Sequence, residues 1–183
     1  LKGLPDGAKE MARSLAKSKE LDGWIFTLDF PSYLPFVTYV ENRELRKEMF
    51  LAYGSKAFKG NEYDNQENVR KLTALRLEMA QLLGYKNYAD YALERRMAMN
   101  PAGVYKLLDD LYEASFNKAN QEKAEVQAYA QKNGFDGEIM PWDWTYYSEK
   151  LKVEKFDLND EMLKPYFELS KVVDGVFGLA TEL

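Results

Sequence analysis

The sequence predicts an all-α fold, an irregular array of several helices with one long member and at most one short extended segment. Apolar residues recur at three- and four-residue spacing along most of the chain, which gathers them on one face of a helix. Gly, Pro, Asn and Asp stand at the borders of these runs, where helix caps and stops need them. Only one short run, Trp24-Ile25-Phe26-Thr27-Leu28, has the aromatic and β-branched content of a strand.

In chain order, Leu4-Pro5-Asp6-Gly7-Ala8 opens a helix that carries Met11 and Leu15 on one side and runs to about Lys19. Gly23 breaks that pattern, and Trp24 to Leu28 follow as the candidate strand or extended segment, bounded by Gly23 and Pro31. A lone strand has to pair with residues outside this chain or with another copy of it. Pro31 and Ser32 start a short helix through about Val40, and Asn42 caps the next, from Arg43 to about Phe58. The polar stretch from Lys59 to Asp64 is a loop, with Asp64 or Asn65 as the cap of the helix that follows. That helix has the clearest pattern: Val69, Leu72, Arg76, Met79, Ala80 and Leu83, with Gly84 at its left-handed end.

Asn87 to about Met99 reads as a further helix, and Asn100-Pro101 as a cap followed by proline at the first helical position. From there Val104, Leu107, Leu108, Leu111, Phe116, Ala119, Val126, Tyr129 and Ala130 continue one apolar stripe to Gly134. About 30 residues at 1.5 Å each make a rod of ~45 Å. Asp143 is the expected cap of an aromatic helix carrying Trp144, Tyr147 and Leu151 toward Phe156, and Asn159 starts a short helix ended by Pro165. A last helix from Tyr166 places Val172, Val173, Val176, Phe177 and Ala180 on one face. The helices share no fixed-period repeat, so residues 1 to 183 read as one helical segment and not as a solenoid.

Composition narrows the function classes. The chain has 183 residues, 46% of them hydrophobic, with 13 Tyr, 10 Phe and 3 Trp, so aromatic burial is expected to build the core. With no Cys it folds without disulfides. A net charge of -5, with basic residues scattered among acidic ones, argues against nucleic acid as a partner. No run of about 18 apolar residues exists to span a bilayer, and the N-terminus lacks the basic-then-apolar order of a signal peptide, so no membrane partner is expected. A cytoplasmic location is expected, with a periplasmic or exported one as the alternative. The chain opens on Leu1 instead of Met, and its last helical pattern is still running at Leu183, so a segment of a longer polypeptide is the expectation.

The chemistry is defined by what is missing. There is no His and no Cys, so the chain cannot supply the imidazoles of a His-Glu-x-x-His zinc site, the thiolates of a structural zinc site, or a Ser-His-Asp or Cys-His triad. Asp157-Leu158-Asn159-Asp160-Glu161 begins like a calcium loop, but Met162 stands where the loop needs Gly, and the stretch reads better as a helix start. Asp64-Asn65-Gln66-Glu67 is likewise a polar helix start. The group Pro141-Trp142-Asp143-Trp144-Thr145-Tyr146-Tyr147 offers stacking faces, yet its aromatics read mainly as wedges between helices. The pair Arg95-Arg96 reads as a solvated helix face or ion-pair partner. No catalytic, cofactor-binding or metal-binding residue is assigned.

Several strings carry a resemblance. These are Asp22-Gly23-Trp24-Ile25-Phe26-Thr27-Leu28, the run from Leu75 through Leu82-Leu83-Gly84-Tyr85 to Ala89, the run Met140-Pro141-Trp142-Asp143-Trp144-Thr145-Tyr146-Tyr147 through Leu151, and Leu163-Lys164-Pro165-Tyr166-Phe167-Glu168-Leu169. In this order and spacing the chain resembles the thimet-oligopeptidase family of zinc metallopeptidases, on its peptidyl-dipeptidase (dipeptidyl carboxypeptidase) and oligopeptidase A branch. The resemblance implies a segment upstream of the zinc-binding helix, within a mostly helical fold split by a deep substrate channel. It also implies a parent that hydrolyses short peptides with zinc. The implied partners are the remainder of the parent chain and, for the whole protein, short peptide substrates. Self-association of this segment through uncovered apolar faces is a further expectation. The competing reading is a stand-alone helical interaction module without enzymatic activity.

Overall fold

The computed structural model describes residues 1 to 183, except for the side chains of Asp160 and Glu161. It is all-helical, with no strand among the described residues. Close contacts divide the chain into two compact units, Leu1–Tyr53 with Val126–Leu183, and Gly54–Glu125.

In the first unit, α1 (Asp6–Ser18) follows Pro5 and buries Ala12 and Ala16. The residues Trp24 to Leu28 form neither helix nor strand, which corrects the expected strand pairing. Two of their backbone groups find partners outside any strand: the Ile25 N–H donates to the Ala12 carbonyl at 3.0 Å, and the Thr27 N–H to the Ser32 hydroxyl at 3.0 Å. The apolar character of the run serves packing instead, with Phe26 edge-on to Phe36 at 4.7 Å between ring centres.

Helix α2 (Phe30–Tyr39) has Pro31 in its first turn and leads through extended Val40 toward α3 (Arg43–Gly54). The Asn42 side chain accepts the Leu45 N–H at 3.2 Å, as its expected capping role requires. Leu4, Phe36 and Val40 form one core cluster, with Ala8, Phe26, Leu45 and Met49 packed around it. A second cluster joins Val126 and Ala130 to Ile139, with Phe135, Tyr147 and Leu151 around it.

The second unit holds the α4 helix (Gln66–Leu82) and the α5 helix (Tyr88–Leu93). Helix α3 ends at Gly54 and not near Phe58, and the chain turns at Ala57, whose φ is +56°. Of the two expected caps, Asp64 does the work, accepting the Gln66 N–H at 2.9 Å and the Gly60 N–H at 2.6 Å. Gly84, at φ +87°, ends α4 in the left-handed conformation expected of it, while the Tyr85 N–H returns to the Ala80 carbonyl at 2.9 Å. Asn87 caps α5, which stops at Leu93 instead of reaching Met99. Pro101 disfavours helical geometry at Asn100, and Met99 itself is left-handed at φ +60°, so the chain turns before the next helix.

Helix α6 (Pro101–Lys132) is the expected long rod of 32 residues, opened by the Asn100 side chain, which accepts the Gly103 N–H at 2.9 Å. Its residues through Glu125 lie in the second unit and those from Val126 in the first. Helix α7 (Pro141–Phe156) begins two residues before the expected cap: Met140 is its N-cap and Asp143 its third residue. Asp143 still serves the terminus, since its carboxylate reaches back to accept the Met140 N–H at 3.0 Å. Asn159 caps α8 (Asp160–Leu163) as expected, but Pro165 lies inside a 3-10 turn, Lys164–Tyr166, which a proline tolerates in its first positions. The last helix, α9 (Leu169–Glu182), starts three residues later than Tyr166 because Phe167 leaves helical geometry.

Candidate functional site

The most constrained side chains of the first unit meet where the starts of α3 and α7 come together. Arg43 and Arg46, one helical turn apart on α3, share a face that points at Asp143 on the first turn of α7. Asp143 is fully buried at 0% exposure and Arg46 is at 1%. Arg43 clasps the carboxylate with Nε at 3.0 and 3.1 Å from its two oxygens and Nη2 at 2.8 Å. Arg46 adds Nη2 at 3.0 Å. The remaining Arg46 donors reach the carbonyls of Val40 at 2.9 Å, Glu41 at 3.0 Å and Trp142 at 3.3 Å. A buried guanidinium is tolerated only when its donors find acceptors, and here one arginine ties the end of α2 to the start of α7.

Aromatic rings close the cluster. Arg46 lies over the Tyr146 ring at 4.0 Å, and Arg43 lies over Phe135 at 5.3 Å and Trp142 at 5.6 Å. Phe50 meets Trp142 edge-on at 6.2 Å. Burial by itself would raise the Asp143 carboxyl pKa, but the Arg43 clasp, the Met140 N–H and Arg46 outweigh it and hold the group below its ordinary value. The same hydrogen bond to Asp143 raises Arg43 above the usual guanidinium value.

Beside this clasp lies an open cleft of about 770 Å³, lined by Tyr39, Glu41, Tyr129, Tyr146, Glu149 and Lys150 among others. Its carboxylates are engaged: Glu41 with Lys2 at 2.8 Å, Glu149 with Lys152 at 2.8 Å, and Glu154 with Lys132 at 3.2 Å. The cleft therefore presents tyrosine rings and paired carboxylates.

The residues weighed in the sequence fall elsewhere. Arg95 and Arg96 are exposed in the turn after α5, outside any cluster with a ligand-binding geometry. Trp142 packs into the clasp, whereas Trp144 on the next face is 39% exposed. Asp157 ends α7 in a left-handed conformation and Asn159 caps α8, as a helix boundary and not a calcium loop would place them. The side chains of Asp160 and Glu161, the rest of that motif, lie outside the described residues. Asp64 is spent on capping. Among the described residues, no group of three or more His, Cys, Asp or Glu is placed to hold a metal ion. The clasp itself escaped sequence reading. Two arginines three apart on a mostly polar helix look like surface residues, and their partner is 100 and 97 positions away.

Comparison with known proteins matches residues 36–183 to peptidase family M3. Oligopeptidase A of Escherichia coli (strain K12) is 41% identical over 100% of this chain, which covers 28% of that protein. The organellar oligopeptidase A, chloroplastic/mitochondrial, of Arabidopsis thaliana is 40% identical over 100% of the chain and 24% of its own length. Dipeptidyl carboxypeptidase of Escherichia coli (strain K12) is 32% identical over 100% of the chain and 27% of its own length. The chain thus spans about a quarter of the length of the relatives it matches. On the family match and the relatives' identity over the full chain, this protein belongs to peptidase family M3.

Proposed function

We propose that the chain is a non-catalytic helical segment of a zinc-dependent oligopeptidase or peptidyl-dipeptidase, lying upstream of the zinc site, and that the whole protein hydrolyses short peptides. The observation that carries this reading is the match of the entire chain to about a quarter of oligopeptidase A, in a sequence with no His. Zinc in a peptidase needs imidazole or carboxylate ligands and an activated water. The residues present do not fit it, since this chain offers neither His nor Cys and no metal-binding group among its described residues. Zinc belongs, on this reading, to the remainder of the parent. The segment contributes shape: long helices that wall a channel, admit unfolded peptides and turn folded proteins away.

A cytoplasmic location is the reading we favour, supported by a relative named as a probable cytosolic oligopeptidase A, while another is named as organellar. Among the described residues, no helix is long and apolar enough to cross a membrane. The natural partners are the remainder of the chain and, through it, short peptides. Exposed Leu72, Leu75, Met79 and Leu82 on α4 favour self-association of the isolated segment, which would cover them. To test the function, the purified chain is incubated with zinc and internally quenched short peptides, alone and mixed with the separately produced remainder of the parent. No cleavage alone and restored cleavage on mixing is the expected result. Zinc-dependent cleavage by the chain alone overturns the proposal.

A further inference from the structure

The α9 helix separates its residues by chemistry with unusual sharpness. At 100° per residue, Leu169, Val172, Val173, Val176, Phe177, Leu179, Ala180 and Leu183 occupy one side, and Ser170, Lys171, Asp174, Thr181 and Glu182 the other. Yet every residue from Leu169 to Leu183 is exposed, with Val176 at 61% and Phe177 at 70%. Within the first unit, the helix makes no close approach to another helix among the described residues. An apolar face of this extent facing water marks an interface.

The spacing suits a helical occupant. Leu169, Val172, Val176, Leu179 and Leu183 follow one another at alternating three- and four-residue steps, the repeat by which two helices pack nearly along each other at a crossing of about 20°. The positions flanking this seam are Val173, Gly175, Ala180 and Glu182, so the occupant meets small or apolar neighbours and a single charge. A uniformly charged strand or a basic helix would find no complement there. The relatives supply the length in which such an occupant resides, since this chain accounts for only 28% of oligopeptidase A.

We propose that α9 is a docking helix whose seam is covered by an apolar helix of the same polypeptide, located in the part of the peptidase outside these residues. This rests on the proposal that the chain is a segment of a longer peptidase. The occupant lies nearly along α9 and buries Val176 at the middle of the seam. Only a face held by other parts of its own chain stays covered at any concentration, which separates this arrangement from docking of a second copy.

The test is amide hydrogen exchange over residues 169 to 183 in the full-length peptidase and in the 183-residue chain. The expected result is protection at least about 100-fold greater in the full-length protein at every concentration. Val176→Glu in the full-length protein is expected to cut that protection about tenfold or more by placing a carboxylate in the seam, while Lys171→Glu on the outer side leaves it unchanged. Equally fast exchange in both proteins overturns the proposal. So does protection in the 183-residue chain that rises with its concentration, which would assign the face to a second copy. Peptidase activity of the full-length protein is recorded in parallel. Activity with an unprotected α9 refutes only the docking, whereas absent activity with a protected α9 refutes only the proposed function.

Discussion

Replacing Asp143 by Asn is the sharpest probe of what holds the first unit together. The substitution keeps the volume and an oxygen that can still accept the Met140 N–H, and it removes the charge that neutralises Arg43 and Arg46. Arg43 is about a third exposed and relaxes toward solvent, but Arg46 at 1% exposure cannot. Breaking a buried pair by removing one partner costs roughly 3–5 kcal/mol, because the other charge stays buried and uncompensated. Arg46 keeps three carbonyl acceptors, from Val40, Glu41 and Trp142, so the lower end, about 3 kcal/mol, is expected. For a chain of this size that is a fall in Tm of about 6–12 °C. The assay is thermal unfolding followed by Trp fluorescence, with Trp142 packed against Arg43 as an internal reporter. A double substitution, Arg46→Met with Asp143→Leu, is expected to recover only part of the loss, since it removes the buried charge but leaves the Val40, Glu41 and Trp142 carbonyls and the Met140 N–H without their partners. A loss below about 0.5 kcal/mol for Asp143→Asn would refute the clasp as an energetic anchor, because that is the range of an ordinary surface substitution.

The other expectations concern pH, packing and association. Because Asp143 is depressed below its ordinary 3.8 in the folded chain, its contribution is present above pH 3.8 and is lost as pH falls through the lower folded value. Acid titration of stability should therefore show a limb below pH 3.8 that Asp143→Asn flattens, and an unchanged limb would count against it. The Ser148 hydroxyl is buried on α7 without a partner, so Ser148→Ala is expected to raise stability by about 0.5–1 kcal/mol in urea unfolding. In α1, Gly7→Ala meets nothing within 4 Å and should gain up to about 1 kcal/mol, whereas Gly103→Ala in α6 would press its Cβ onto the Ala98 carbonyl and lose stability. Comparing the two midpoints checks the sign in each case. Leu75→Glu on α4 is expected to make the isolated chain monomeric in size-exclusion chromatography with light scattering, and an unchanged mass would exclude α4 as the self-association face.

The elements that were legible share one property: their signals are local. Gly84 ends α4 in the left-handed conformation, Asn100-Pro101 opens α6, Gly134 follows it at φ +85°, and Asn159 caps α8, each through bonds to residues within one turn. Where the outcome depended on partners far along the chain, sequence reading failed. The run Trp24 to Leu28 has strand composition, but a strand needs a neighbour, and the chain provides Ala12, Ser32 and Phe36 instead. Asp143 has the residue type and neighbourhood of an N-cap, and only the two distant arginines explain why it is wholly buried one turn inside the helix.

The distribution of apolar surface ties these local and distant features to the proposed role. A helix with apolar residues over a wide arc is stable in water only when something covers it. The α4 helix buries Ala80 alone among its residues, and α9 buries none. By contrast, the starts of α3 and α7 are joined by the buried cluster of Arg43, Arg46 and Asp143. The chain therefore spends its strongest internal contacts on setting the angles between a few helices and leaves other faces for contacts it does not itself supply. An independent interaction module would be expected to close its own core first and expose one patch. Here the uncovered faces lie on α4 and α9, which suits the proposed reading of the chain as a segment of a longer helical protein.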